Sequence, residues 1–191
     1  MNRRAFTLIE LLIVVGILAI LALIALPNFL DAQVRTKVSR AKSDMRTVAT
    51  ALEFYATDNN KYVPNYDSGV YLPQPTSEAR TYSALTTPIA YITAAPSDPF
   101  APNSVAPQRG SYYEYYAEES VLLDTTYRQE TLEHWLATGT KWLVTSLGPD
   151  RRIEHMGKNL DAVSNFLYDP TNGTVSFGDF GRSNVISSLP Q

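Results

Sequence analysis

The chain has 191 residues, with 16 Lys and Arg against 19 Asp and Glu and a net charge of −3 at pH 7. That length holds about one domain plus an anchor, and the slightly acidic balance argues against a general nucleic-acid surface, which would be basic. Cysteine is absent, which excludes a disulfide framework and thiol-based metal or redox chemistry.

At the N-terminus the short segment MNRRA precedes FTLIELLIVVGILAILALIALPNFL, residues Phe6 to Leu30. No charged side chain occurs from Leu11 to Leu26, and the stretch has the roughly 20 residues that a helix needs to cross a bilayer. Arg3 and Arg4 stand before it, so the positive-inside rule predicts a cytoplasmic N-terminus and an exported C-terminal bulk. A secretory signal would end in an A-x-A-like site. Here Gly16, Ala19, Ala22 and Ala25 recur every three positions and no A-x-A falls in the apolar run, so cleavage after it is not expected. Glu10 interrupts the apolar character near the start, and a carboxylate in a membrane helix demands an explanation. Either it snorkels to the headgroups from one turn inside the stretch, or a counter-charge meets it.

The segment AFTLIELLIVV, from Ala5 to Val15, resembles the processing motif of type IV pilins and type II secretion pseudopilins. The resemblance implies that residues 1–5 are a leader, removed by a prepilin peptidase between Ala5 and Phe6. It further implies that Phe6 becomes the N-methylated terminus and that Glu10, fifth in the mature chain, assists assembly. Leader removal leaves 14 basic against 19 acidic side chains, a net of −5. The freed Phe6 amine is a cation that can pair with Glu10 of a neighbouring subunit, and a buried pair of this kind fixes register more than it adds stability. The small face at Gly16, Ala19, Ala22 and Ala25 would let neighbouring helices approach closely. One departure from the family pattern is Ala5, where a Gly usually precedes the cut.

No Gly interrupts the sequence from Ile17 to Thr57, which predicts one long helix, apolar all round in its first half and amphipathic in its second. Val34, Val38, Ala41, Met45, Val48, Leu52 and Tyr55 fall at spacings of four and three, the pattern of a single apolar face. This stripe covers fewer than four heptads, so packing on a sheet is preferred to a coiled-coil seam. Pro27 should kink or locally unwind the helix, because it removes a donor and crowds the carbonyl of Leu23.

The helix is predicted to stop near Asp58-Asn59-Asn60, after which prolines from Pro64 to Pro107 mark an irregular connector. A short helix is expected from Ser77 to Leu85, capped by Thr76 or Ser77. Strands are expected at SYYEYYA from Ser111 and KWLVTSL from Lys141, with a hairpin of NFLY from Asn165 and TVSFGDF from Thr174 around Asp169 to Gly173. Thr131 to Ala137 reads as a short helix between strands. These elements predict an α+β, pilin-like fold in which the amphipathic half of the long helix packs on an antiparallel sheet. Residues 6–30 are then the membrane and assembly helix and residues 31–191 the globular domain. Tyr112, Tyr113, Tyr115 and Tyr116 are read as core and interface residues rather than a ligand platform, since half-buried strands favour tyrosine.

His134 and His155 lie in no metalloprotease motif, and no nucleophile elbow, phosphate loop or dinucleotide fingerprint occurs, so no enzyme is expected. Ser146-Leu147-Gly148-Pro149-Asp150 is similar to the S-L-G-x-D segment near the calcium site of major pseudopilins. By that likeness the Leu147 carbonyl, Asp150, and Asp161 or Asp169 would hold calcium, which takes six to eight oxygens. Arg151, Arg152 and Ile153 replace the acidic loop of those proteins, and the alternative reading is a plain turn after a strand. The function implied is a filament subunit, with a type II secretion pseudopilus preferred on the absence of cysteine, the S-L-G-x-D segment and the Tyr168-Asp169-Pro170 to Asp179 segment. A type IV pilus subunit and a non-polymerising, membrane-anchored extracytoplasmic binding protein are the alternatives. The expected partners are copies of the chain itself, a prepilin peptidase, an inner-membrane assembly platform with minor pilins or pseudopilins, and the membrane; no nucleic acid is expected. The expected location is the cytoplasmic membrane, spanned once, with later extraction into a filament.

Overall fold

In a computed structural model of the chain, a single helix, α1, runs from Leu8 to Asn59. The structure describes residues 7–64, 77–101, 112–118, 137–151 and 180–185. Thr7 opens α1 in an extended conformation, with φ −86° and ψ 150°, and Asn60 closes it in the left-handed region at φ 54° and ψ 22°. Asn tolerates that region better than most residues, so the polar Asp58-Asn59-Asn60 exit ends the helix where expected. At about 1.5 Å per residue its 52 residues span roughly 78 Å.

Every side chain from Leu8 to Leu30 is exposed. Beyond that point one face turns inward, burying Val38, Ala41, Met45, Val48, Ala49, Ala51 and Leu52, with Val34 and Tyr55 packed at its margins. The predicted stripe is therefore the core face. On exposed positions, Thr36, Thr50 and Thr57 donate their hydroxyls to carbonyls four residues back at 2.8, 3.0 and 2.8 Å, which satisfies those groups within the helix. Local unwinding at Pro27 does not occur: α1 continues through it, and Asn28 Nδ2 donates to the carbonyl of Ile24 at 3.2 Å beside the interrupted bond.

A second helix, α2, covers Ser77–Ala84, one residue short of the expected Leu85. Among the described residues three strands follow: β1 at Glu114–Ala117, β2 at Trp142–Ser146 and β3 at Phe180–Ser183. They form one antiparallel sheet in chain order, with Tyr115 opposite Val144 and Thr145 opposite Gly181. Of the strand expected from Thr174 to Phe180, residues 174–179 lie outside the described residues, and its end is corrected, because pairing continues through Gly181, Arg182 and Ser183. Gly181 is a poor strand former by propensity, yet here a Cβ would stand 2.9 Å from the carbonyl oxygen of Val144. Close approach of two backbones, invisible in local sequence, sets the residue. Its expected hairpin partner, 165–168, lies outside the described residues, as do His134, His155 and all but Ala137 of the expected 131–137 helix.

The α1 stripe packs against the sheet around Trp142, Val144 and Phe180, with Tyr82, Leu85 and Val63 completing the core. Trp142, 1% exposed, donates its indole N–H to Glu53 of α1 at 2.9 Å, tying β2 to the helix. The tyrosine tract is likewise structural. Tyr113 and Tyr115 are buried, and their hydroxyls donate to Asp44 Oδ2 at 3.1 Å and to the carbonyl of Val63 at 2.8 Å. Burial pushes both phenols far above their ordinary range, so they stay neutral donors.

Candidate functional site

Two places were marked by sequence: the start of α1 and the turn after β2. At the first, Thr7 and Glu10 form a reciprocal capping box. The Thr7 hydroxyl accepts from the Glu10 amide at 3.3 Å, while Glu10 Oε2 accepts from the Thr7 amide at 2.9 Å and from the Thr7 hydroxyl at 2.7 Å. Glu10 thus has a partner within its own chain, and both bonds to Thr7 go through one carboxylate oxygen. The sequence signature of this box is T-x-x-E before an apolar run. Ala5 and Phe6 lie outside the described residues. An added Cβ at Gly16 would meet nothing within 4 Å, and Ala19, Ala22 and Ala25 are exposed with it, so the small-residue face is open. Pro27 sits in the exposed part of the same helix.

At the second place, Leu147 to Asp150 follow directly on β2. Gly148 adopts φ 67° and Arg151 φ 60°, and the Arg151 amide donates to the carbonyl of Gly148 at 3.2 Å, closing a tight turn. Leu147 is buried and Asp150 half-buried. Asp161 and Asp169 lie outside the described residues, and among the described residues no group of three or more His, Asp or Glu converges.

The sequence reading overlooked Asp98. Its carboxylate is 5% exposed and accepts three hydrogen bonds: the Phe100 amide to Oδ1 at 2.9 Å, and the Ser146 hydroxyl and Leu147 amide to Oδ2 at 2.8 and 3.1 Å. Burial pushes its pKa above the ordinary 3.8, against the pull of those three donors. Asp98 lies in the proline-rich stretch read only as connector; the local clue was Asp two residues before a free amide, the Asx-turn pattern seen at Phe100. Nothing local gave its bonds to β2, 48 residues away.

An apolar helix long enough to cross a bilayer, opened by a charged capping box and carrying a small α+β head on its far half, defines a membrane-anchoring, pilin-like chain. Residues 1–26 match the family model for the prokaryotic N-terminal methylation motif. Type II secretion system core protein G of Aeromonas hydrophila is 34% identical over 103 residues, which is 52% of this chain and 68% of that protein. Core protein G of Pectobacterium carotovorum subsp. carotovorum is 34% identical over 103 residues, covering 52% of this chain and 63% of its own length. Type IV major pilin protein PilA of Myxococcus xanthus is 48% identical over 61 residues, 32% of this chain and 28% of that pilin. No solved structure matches the chain. The chain belongs to the family of type IV pilins and type II secretion major pseudopilins, and it is a subunit of pilus-like type. The aligned part spans from about a quarter to two thirds of the length of these relatives.

Proposed function

We propose that the chain is the structural subunit of a type II secretion pseudopilus, polymerising through α1 in support of protein export. One observation carries this choice over a type IV pilus. The match to PilA of Myxococcus xanthus spans 61 residues, about the length of leader plus α1, whereas the match to core protein G of Aeromonas hydrophila spans 103 and must therefore extend well beyond α1. The head, not the shared helix, is the part that distinguishes the two classes.

In this reading a peptidase cuts between Ala5 and Phe6, Phe6 is methylated, and α1 anchors the subunit once in the cytoplasmic membrane with residues 31–191 outside. The cut leaves Thr7 as the second residue, so the capping box and the new cationic amine lie within one turn. Glu10 Oε2 holds the helix end together, and the carboxylate's charge remains for the amine of the adjoining subunit. Gly16 and the alanines let the helices close around that pair. The chain has no catalytic role in this reading.

A calcium ion at the turn after β2 belongs to the same reading. The Leu147 carbonyl and the Asp150 carboxylate are hard oxygen donors of the kind calcium takes. They supply two of the six to eight oxygens, with Asp161 and Asp169 as further donors by the sequence likeness.

Imaging the purified assembly tests the main proposal. A short periplasmic filament that requires this subunit and the secretion machinery is the expected result; a long surface fibre made without that machinery overturns it in favour of a type IV pilus.

A further inference from the structure

Just beyond its apolar half, α1 changes character: from Arg35 to Arg46 it carries five cations and one carboxylate, Asp44. Two of the five have partners in their own chain. Arg40 pairs with Asp44 at 3.6 Å, and Lys37 Nζ stands 5.9 Å from the centre of the Phe100 ring. The other three, Arg35, Lys42 and Arg46, enter no ion pair among the described residues. At about 100° per residue, their spacings of seven and four place them within an arc of roughly 40°, one row on the flank of α1 beside its buried face. Arg35 and Arg46 are exposed and Lys42 is half-buried. The carboxylates adjoining the row on the helix are Asp31, one turn below Arg35, and Glu53, two turns above Arg46. Glu53 is already engaged, accepting from the Trp142 indole at 2.9 Å and from the Tyr62 hydroxyl at 3.0 Å.

In a subunit anchored as proposed, most of this row stands clear of the lipid. Counting from Leu30 at about 1.5 Å per residue, Arg35, Lys42 and Arg46 lie roughly 8, 18 and 24 Å up the helix. The headgroup layer is only about 5–7 Å thick on each side of the bilayer, so Arg35 alone is within reach of lipid phosphates. An anionic protein surface is available in every copy, because residues 62–191 carry 8 Lys and Arg against 14 Asp and Glu, a net of −6. We infer that the Arg35–Lys42–Arg46 row is a contact surface for the acidic head of a second copy, reached when subunits gather side by side through their apolar helix halves. The inference rests on the filament reading given above and adds to it a polar contact outside the membrane, continuous with the apolar one along α1. Exposed ion pairs each add little to stability; a row of three orients the neighbour, attracting its acidic surface and repelling its own cationic row. Two copies therefore do not pair row to row. The contact joins two different surfaces, the kind that propagates a filament and does not close a dimer.

The chain has no cysteine, so Ser39→Cys places a single thiol beside the row, at an exposed position, without removing a cation. A short photoreactive cross-linker is attached there, filaments are formed from an equal mixture with isotope-labelled wild type, and mass spectrometry reads the adducts after irradiation. Adducts to residues 62–191 of the labelled copy are expected; adducts only to lipid or to another protein overturn the inference. In parallel, Arg35, Lys42 and Arg46 are changed together to Gln and, separately, to Glu. Removing cations from the exported side does not oppose the N-in orientation, so both variants should reach the membrane at the wild-type level. The Gln variant should form fewer filaments than wild type and the Glu variant roughly tenfold fewer, because its row repels the acidic head. Wild-type filament yield from both variants overturns the contact and leaves the filament reading standing. Failure of the wild type to form any filament overturns the filament reading and this contact with it. Should the Glu variant fail to reach the membrane, the Gln variant and the cross-link decide.

Discussion

Leu52 and Phe54 are two residues apart on α1 and stand on opposite sides of it, which makes them a sharp test of how the helix docks. Leu52 is 1% exposed and Phe54 is 58% exposed. Removing a buried leucine side chain costs the lost transfer energy plus the cavity left behind, together about 2–5 kcal/mol. Leu52 belongs to one buried cluster with the rest of the helix face and with sheet residues such as Trp142, itself 1% exposed, so collapse into the space is restricted and a value of about 3 kcal/mol is expected. For a chain of this length each kcal/mol moves the melting temperature by about 2–4 °C, so Leu52→Ala should melt roughly 6–12 °C lower. Phe54→Ala removes the larger side chain yet should change stability by no more than about 0.5 kcal/mol, because it leaves no cavity. Thermal melting of the full chain in detergent, followed by tryptophan fluorescence, reads the difference. Equal losses for the two variants, or a loss below about 1 kcal/mol for Leu52→Ala, would refute the docking of this face on the sheet.

Mass spectrometry of membrane-assembled protein should find a chain starting at methylated Phe6, and an intact Met1 would rule out processing at Ala5. Glu10→Val should leave membrane level unchanged while filament yield collapses; normal filaments would show that neither the capping box nor the charge pair is needed for assembly. A truncated chain starting near Asp31 should be soluble and monomeric, and aggregation under all conditions would count against a separable domain. Calcium should raise the melting temperature of the full chain, by the equivalent of about 2.7 kcal/mol at 100 times the dissociation constant. Asp150→Ala should abolish that rise, and a rise that survives the substitution would remove Asp150 from the site.

Much of the architecture was legible because it is periodic or punctuated. The long helix follows from the unbroken run and its core face from the four-and-three spacing of Val38, Ala41, Met45, Val48 and Leu52, while Asn60 marks its end. Strands β1 and β2 were legible as runs of tyrosine and of Trp142 to Ser146. What escaped was long-range. Gly181 belongs to a strand only because the backbone of β2 lies against it, and Asp98 matters only because folding carries it to Ser146. The Thr7–Glu10 capping box was fully local, but a charge among apolar residues invited an intermolecular explanation first.

The apolar half of α1 carries a kinetic consequence. Every Leu, Ile, Val and Phe from Leu8 to Leu30 is exposed, and at about 1.5–3 kcal/mol each their combined transfer into water costs on the order of tens of kcal/mol. No route of assembly can pass through a free aqueous subunit. For a subunit anchored as proposed, the helix exchanges lipid for protein sideways, each contact with a neighbour replacing a contact with acyl chains, so its total burial hardly changes along the way. Growth is then limited by supply within the plane of the membrane rather than by encounter in solution. The concentration that governs it is a surface density of subunits, and dilution of the surrounding fluid leaves the rate untouched.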